Sequence, residues 1–391
     1  MKILVACTDL GVRVPGDKGA SLHLAAITSA FAEAGHDVLL AAVAGHGTPP
    51  SDVASILLPH PGRATGLRRE INKLRFVQHF PDAIAERVAA FGPEVIYERL
   101  SLFGTAGSVL AQRFAALHVV EVNALLAEEE AQWRGLRLAK RAAEREANVL
   151  AGADLRVAVS NEHAAVINAA YPGRTIVVPN GMDASRFRHL PAAAAARTRF
   201  GLPADAQLVV FVGALRPWHG LDLGIKALAL MPASAHLVVA GDGPIRDELQ
   251  RLAAELRVDD RVHWLGQVNH REVPAVLAAC DVAIAPYPDL ENFAYSPLKL
   301  YEYLAAGLPI VASNIGQIPD VLGHGTGGLL THPGNVRELA AALWIILSQP
   351  HRYRAQAASA RTETLKQHSW LQRANNIVDA VKECDRHAVA V

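Results

Sequence analysis

The stretch with the most chemical content is Ser296-Pro297-Leu298-Lys299, followed by Glu302. The pattern predicts a helix that starts at the Ser-Pro pair and stops at Gly307, with Pro309 just beyond. The first turn of such a helix exposes backbone N–H groups without intrahelical partners, and these bind phosphate oxygens. Pro297 suits that turn because it lacks a donor that would be unpaired there. Lys299 adds a compact cation. Glu302, further along, is placed to reach a neighbouring hydroxyl. Phosphate at one end and hydroxyls at the other are the demands of a sugar nucleotide.

A second candidate anion cradle lies near the start of the chain. Gly16-Asp17-Lys18-Gly19 follows the first predicted strand, and Gly19 would bring backbone N–H groups to a diphosphate; a simple tight turn is the alternative. The spacing is not G-x-G-x-x-G, which disfavours a nicotinamide site.

The elements around these residues repeat a strand–loop–helix alternation. Residues 2–7, 36–43, 53–58, 94–97, 118–122, 155–159 and 175–178 read as strands, with helices at about 21–34 and, strongly charged, 136–150. The pattern breaks between Asn180 and Gly201, where Pro179, Gly181, Pro191 and five alanines mark a hinge and a short helix. Strands then resume at 207–213, 236–241, 262–266, 282–287, 309–313 and 327–331, and helices fill the tail from Val336 to about Lys382. The expected fold class is α/β, with two doubly wound Rossmann-like domains facing a central cleft, where such sheets bind ligands. The domains are expected at 1–184 and 185–369, with a C-terminal helix, about 370–387, packing back on the first.

Composition narrows the functional classes. Lys+Arg and Asp+Glu balance at 38 each in 391 residues, which removes the basic excess of a nucleic-acid binder. Hydrophobic residues make up 51% and charged residues 19%, as in an extensively folded chain. Cys7, Cys280 and Cys384 lie too far apart for a metal spacing or disulfide ladder and read as buried free thiols. The apolar start, Met1 to Cys7, is too short for a signal peptide, and no run of about 18 apolar residues occurs. A cytoplasmic protein is expected. Arg63, Arg68, Arg69, Lys73 and Arg75, interleaved with Leu67, Ile71, Leu74 and Phe76, form either a solvated helical face or a weak membrane-surface contact over 63–76.

Several landmarks occur together and in order. They are Val178-Pro-Asn-Gly-Met-Asp183 with Phe187, the Phe211–Asp222 segment containing Arg216-Pro-Trp-His219, Val239-Ala-Gly-Asp-Gly-Pro244, Leu265-Gly266, the 293–313 stretch and His324–Leu330. This set resembles the retaining glycosyltransferases of family 4, which have the GT-B fold; the resemblance covers most of the chain and is weakest between about 48 and 92. It implies transfer of a sugar from a nucleotide-sugar donor, UDP-linked by preference, to a hydroxylated small-molecule or glycan acceptor. It also implies Glu302 as the acceptor of hydrogen bonds from the ribose hydroxyls. The usual first glutamate of the family falls at Ala294, with Glu291 three residues earlier, and the usual Arg and Lys fall at Ala214 and His219.

Such a transfer needs negative charge stabilised on the leaving diphosphate. Arg216, Lys299 and the N–H groups of Ser296, Leu298 and Lys299 are the candidates; solvated loop and helix charges are the bland alternatives. Gly241 and Gly243 would admit the nucleotide to the backbone or simply form turns, and Arg261 with the 262–266 strand end would contact the base. His219 is expected at the donor phosphate or sugar. On the acceptor or sugar side stand Asp17, Lys18, Arg99, Glu121 and Asn123, for which loop anchoring is an equal reading of the strand-end residues. No Asp-x-Asp occurs at a strand end, so no metal and no cofactor are expected. In the family's front-face mechanism the departing phosphate takes the acceptor proton, so none of the 17 histidines is assigned as a base. A sugar-nucleotide epimerase of the same architecture and a non-catalytic nucleotide-sugar binder are the alternatives.

Overall fold

The structure, a computed structural model, describes residues 1–16, 18–46, 53–291, 293, 296, 298–323 and 328–389. It divides into two compact units. The first comprises Met1–Asn180, Ala294–Ser296 and Trp370–Val391, and the second Gly181–Phe293 and Pro297–Ser369. The change of unit after Asn180 comes slightly before the boundary read from sequence.

The first unit is built on β1 (Lys2–Ala6), β2 (Arg13–Val14), β3 (Asp37–Ala44), β4 (Ala54–Leu58), β5 (Val95–Arg99), β6 (Leu117–Val122), β7 (Leu155–Ala158) and β8 (Thr175–Val177). Their order is β2-β3-β1-β5-β6-β7-β8, with β4 beside β3, and every pairing is parallel. Alternate residues of a strand point to opposite faces. In β1, Ile3 and Val5 join one buried cluster with Leu24, Ile27 and Phe31, while Leu4 and Ala6 join another with Phe80 and Ile84. Both faces are therefore covered, and the strand reads as an unbroken apolar run. The Trp370–Val389 helix contributes Ala374, Ile377, Val378 and Val381 to the first of these clusters.

The second unit has β9 (Gln207–Val212), β10 (Ala235–Ala240), β11 (Val262–Gly266), β12 (Val282–Ala285), β13 (Ile310–Ser313) and β14 (Leu329–Thr331), all parallel, in the order β11-β10-β9-β12-β13-β14. Leu208 and Val210 pack on one side of β9, Val209 and Phe211 on the other. Strand order reverses between β1 and β5 in the first sheet and between β9 and β12 in the second. In doubly wound sheets, ligands bind outside the carboxyl ends of the strands flanking such a reversal.

One local reading changes. The charged segment expected as one helix over 136–150 is a helix at Ala139–Gly152, preceded by another at Leu126–Arg134. Gly135, at φ +64°, ends the earlier one, and the buried Glu70 carboxylate accepts the N–H groups of Arg137 and Leu138 at 3.0 and 2.8 Å, which fixes the restart. The Asp17 and His324–Gly327 assignments lie outside the described residues, as do Ala294 and Pro297.

Candidate active site

The helix that opened the sequence reading spans Leu298–Ala305, between β12 and β13. Leu300, Tyr301, Tyr303 and Leu304 bury it in the core. The Tyr303 hydroxyl accepts the Val212 N–H at 2.8 Å, which ties the helix to the carboxyl end of β9. Its other end closes as the Gly307 signal requires. Leu308 N–H donates to Tyr303 O at 3.1 Å and Gly307 N–H to Leu304 O at 2.9 Å, with Gly307 at φ +68°. This is the paired bonding of a Schellman stop, where a side chain at the glycine position would be strained.

The fixed helix carries Lys299 to the reversal between β9 and β12. Its Nζ lies 4.2 Å from the Phe211 ring centroid and 5.5 Å from that of Tyr287. A Cβ on Gly213, the first residue beyond β9, would come within 3.1 Å of it. The residue is 9% exposed, and among the described residues the amine has no hydrogen-bond partner. Desolvation lowers its pKa to about 7, against an opposing pull from the Glu302 charge. A cation held dry with its donors unsatisfied is costly unless an anion completes it.

The loop after β9 places two more candidates nearby. Arg216 is exposed, with its guanidinium 5.7 Å from the Trp218 ring. The His219 Nδ1 lies 2.6 Å from the Ala214 carbonyl oxygen. A carbonyl can only accept, so Nδ1 carries the proton and Nε2 keeps its lone pair. Burial, reinforced by Lys299 and Arg216, lowers the His219 pKa to about 3. This ring is therefore neutral across the working range and fits a sugar hydroxyl better than a phosphate.

Glu302 is 8% exposed, and its Oε1 lies 2.7 Å from His270 Nε2. Ser296, 6% exposed, accepts the Asn180 N–H on its hydroxyl at 3.0 Å and the Asn180 side-chain amide on its carbonyl at 2.6 Å. Sequence reading named both segments without pairing them. Glu291 is exposed in the loop after β12.

One assignment in this unit is corrected. Arg261 precedes β11, at the amino edge of the sheet. Its guanidinium donates to the carbonyls of Leu228, Pro232 and Ala235 at 3.2, 3.0 and 3.2 Å. A five-residue strand spans about 16 Å, so Arg261 is a strut at the wrong end for a base contact. Gly241 and Gly243 also answer to the protein. A Cβ at these positions would meet the Gly213 and Leu215 carbonyl oxygens at 1.9 and 2.3 Å. The glycines let the loop after β10 pack on the loop after β9.

In the first unit, Gly19 begins the Gly19–Glu33 helix between β2 and β3, and Lys18 is its exposed N-cap. Arg99 and Glu121 close β5 and β6 but form an internal network. The two Glu121 oxygens lie 2.5 Å from His23 Nε2 and 3.3 Å from Arg99 Nη1. Burial opposes charging Glu121, yet the charge and hydrogen bond of His23, the Arg99 charge and a smaller Tyr97 contribution outweigh it and hold the pKa at about 2. Glu121 is 4% exposed and Arg99 9%, and their mutual contact fits the loop-anchoring reading of these strand ends. Asn123 differs, because its buried side-chain amide nitrogen has no partner among the described residues.

The basic run splits in the same way. Arg69 and Lys73 turn inward to Glu130, at 2.8 and 3.9 Å, and Leu74 and Phe76 are buried in the core. The apolar side needed for a membrane-surface helix is thus largely consumed by the fold. Among the described residues no helix is long and apolar enough to cross a membrane. The cysteines are free; Cys7 and Cys280 are buried, Cys384 partly exposed.

Comparison with known proteins adds independent observations. Residues 194–363 match the profile described as glycosyl transferases group 1, and residues 18–186 that of glycosyltransferase family 4. The D-inositol 3-phosphate glycosyltransferase of Thermomonospora curvata is 32% identical over 311 residues, 72% of this chain and 70% of that one. Several other curated relatives are matched over about half of their length. Among solved structures, sucrose-phosphate synthase from Thermosynechococcus elongatus superposes with a TM-score of 0.78 at 23% identity, covering 99% of both chains. Anabaena HepE in complex with UDP-glucose gives 0.72 at 20% identity, over 98% of this chain and 100% of that one.

Proposed function

The chain belongs to the group 1 and family 4 glycosyltransferases of GT-B fold, and from that premise we propose that it transfers a sugar from a nucleoside diphosphate donor, UDP-linked by preference, to a hydroxyl of a small molecule or glycan. The transfer retains configuration and uses no metal ion. The observation that carries this reading is the buried Lys299 amine without a described partner beside Gly213, at the β9/β12 reversal.

A diphosphate placed there gives the amine its counter-charge, with the first-turn N–H groups of Leu298 and Lys299 and the Arg216 fork as further donors. As the bond between the anomeric carbon and the phosphate oxygen breaks, negative charge grows on that oxygen, and these groups stabilise it. The acceptor hydroxyl attacks from the same face, its oxygen bonds to the anomeric carbon, and its proton passes to the departing phosphate. No protein base is required. His219 Nε2 accepts from a donor-sugar hydroxyl and Glu302 from the ribose hydroxyls. Support for a uridine donor comes from the UDP-glucose complex of HepE. Support for a small polyol acceptor comes from the inositol phosphate named for the Thermomonospora relative.

The test is incubation of the purified chain with UDP-, GDP- and ADP-sugars and a panel of hydroxylated acceptors including inositol 3-phosphate. Released nucleoside diphosphate and the product's anomeric configuration are followed by NMR. Release with retention, undiminished by EDTA, is expected. An inverted product, or no release with any donor despite nucleotide binding, would overturn the reading.

A further inference from the structure

Glu302 does not stand alone on its helix. Arg186 comes from the short turn Ala184–Phe187, which the Asp183 side chain caps at Ser185 N and the fully buried Phe187 anchors. His270 comes from the loop between β11 and the Val273–Ala278 helix. Arg186 Nη1 lies against the His270 ring, 2.7 Å from Nδ1 and 3.4 Å from Nε2, and His270 Nε2 lies 2.7 Å from Glu302 Oε1. All three residues belong to the second unit.

The chemistry of the partners fixes one proton. A carboxylate can only accept, so Nε2 of His270 carries a proton and donates it to Glu302, while the Arg186 guanidinium rests against the Nδ1 side of the ring. The imidazole is thereby held between a cation and an anion, and one oxygen of Glu302 is engaged. Among the described residues the other oxygen has no hydrogen-bond partner and is left as the acceptor, with the carboxylate plane set by the ring.

We propose that His270 and Arg186 are positioning residues that hold the Glu302 carboxylate in the orientation needed to receive the donor's ribose hydroxyls. This rests on the reading of Glu302 as the ribose ligand. A freely rotating glutamate would have to give up side-chain entropy on binding, and the chain of bonds removes that cost in advance. Outer partners of this kind influence affinity without touching the ligand, as they do at metal sites.

The amide of glutamine places a donor and an acceptor side by side, about as far apart as the two ring nitrogens, so His270→Gln preserves both bonds. His270→Leu keeps the bulk and removes both. The probe is whichever of UDP, GDP and ADP the wild-type chain binds most tightly, titrated calorimetrically against His270→Leu, His270→Gln, Arg186→Met and Glu302→Gln, with melting temperatures measured in parallel. His270→Leu and Arg186→Met are expected to weaken the nucleotide roughly ten-fold, and His270→Gln to stay within about three-fold of wild type, with melting temperatures unchanged among the His270 variants. The inference is overturned if His270→Leu binds as wild type does, or if both His270 variants lose affinity in step with their melting temperature. Failure of the underlying reading looks different. In that case Glu302→Gln itself leaves nucleotide affinity unchanged, whatever the His270 variants do.

Discussion

Replacement of Lys299 by methionine is expected to lower kcat/KM for the donor by roughly 10²–10³-fold, about 2.7–4 kcal/mol of lost transition-state stabilisation, and at the same time to raise the melting temperature of the protein. The two signs together distinguish a ligand-binding cation from a structural one. The amine is dry, sits over the Phe211 ring and has no described hydrogen-bond partner, so the folded protein bears a desolvation cost that the rings and the Glu302 charge offset only in part. Methionine of similar length fills the same space and avoids that cost, and replacing buried charge with well-packed apolar groups stabilises other proteins by about 1–4 kcal/mol.

The pH dependence follows from the same shift. Lys299 is held at about 7 in the folded chain, against a usual value of 10.5. Below pH 7 both folded and unfolded states carry the proton and the cost is fully present. Between pH 7 and 10.5 the unfolded state binds more protons than the folded one, so stability rises with pH across that window. The Lys299→Met protein lacks this component of the slope. Urea unfolding at several pH values between 6.5 and 9, with steady-state kinetics on both proteins, checks the expectation. A less stable variant that retains full activity would contradict it.

A second large effect is expected in the first unit. Glu121→Ala should destabilise it by about 3–5 kcal/mol, because His23 and Arg99 lose the carboxylate that both contact. Glu121→Gln should cost less, since a neutral acceptor remains. Glu121 is held at about 2, below the usual 4.5, and a depressed carboxylate stabilises above its unfolded pKa. The contribution is therefore complete above about pH 4.5 and lost as pH falls towards 2. Acid unfolding of the Glu121→Gln protein should begin from lower stability and show a shallower pH slope in that window. A Glu121→Gln protein as stable as wild type, but inactive at neutral pH, would return the residue to the acceptor side.

The sheets were legible because buried parallel strands leave unbroken apolar runs between glycine- and proline-rich turns, as in Ile3–Cys7 and Leu208–Val212. Lys299 was legible as a cation on the first turn of a helix, whereas its want of a partner among the described residues depended on where Phe211, Gly213 and Tyr287 converge. Arg261 was misassigned because a residue beside a strand in sequence does not reveal which end of the sheet it joins. Glu121 and Arg99 stand at strand ends, the right edge for ligand contact, yet His23, far away in sequence, claims the carboxylate. Gly241 and Gly243 read either as openings for a nucleotide or as turn glycines, and the neighbouring loop's carbonyls lie where their side chains would be. His270 carried no motif of its own. Only the fold brings that loop histidine between Arg186 and Glu302.

The most direct measurement is calorimetric titration of UDP into the full chain at pH 8, in buffers of differing ionisation enthalpy. Near that pH Lys299 has largely lost its proton, and a diphosphate bound against the amine restores it. Wild type is therefore expected to take up between roughly one-half and one proton per nucleotide, and Lys299→Met none. No UDP binding, no proton uptake in the wild type, or equal uptake in both proteins would contradict a uridine diphosphate held by Lys299.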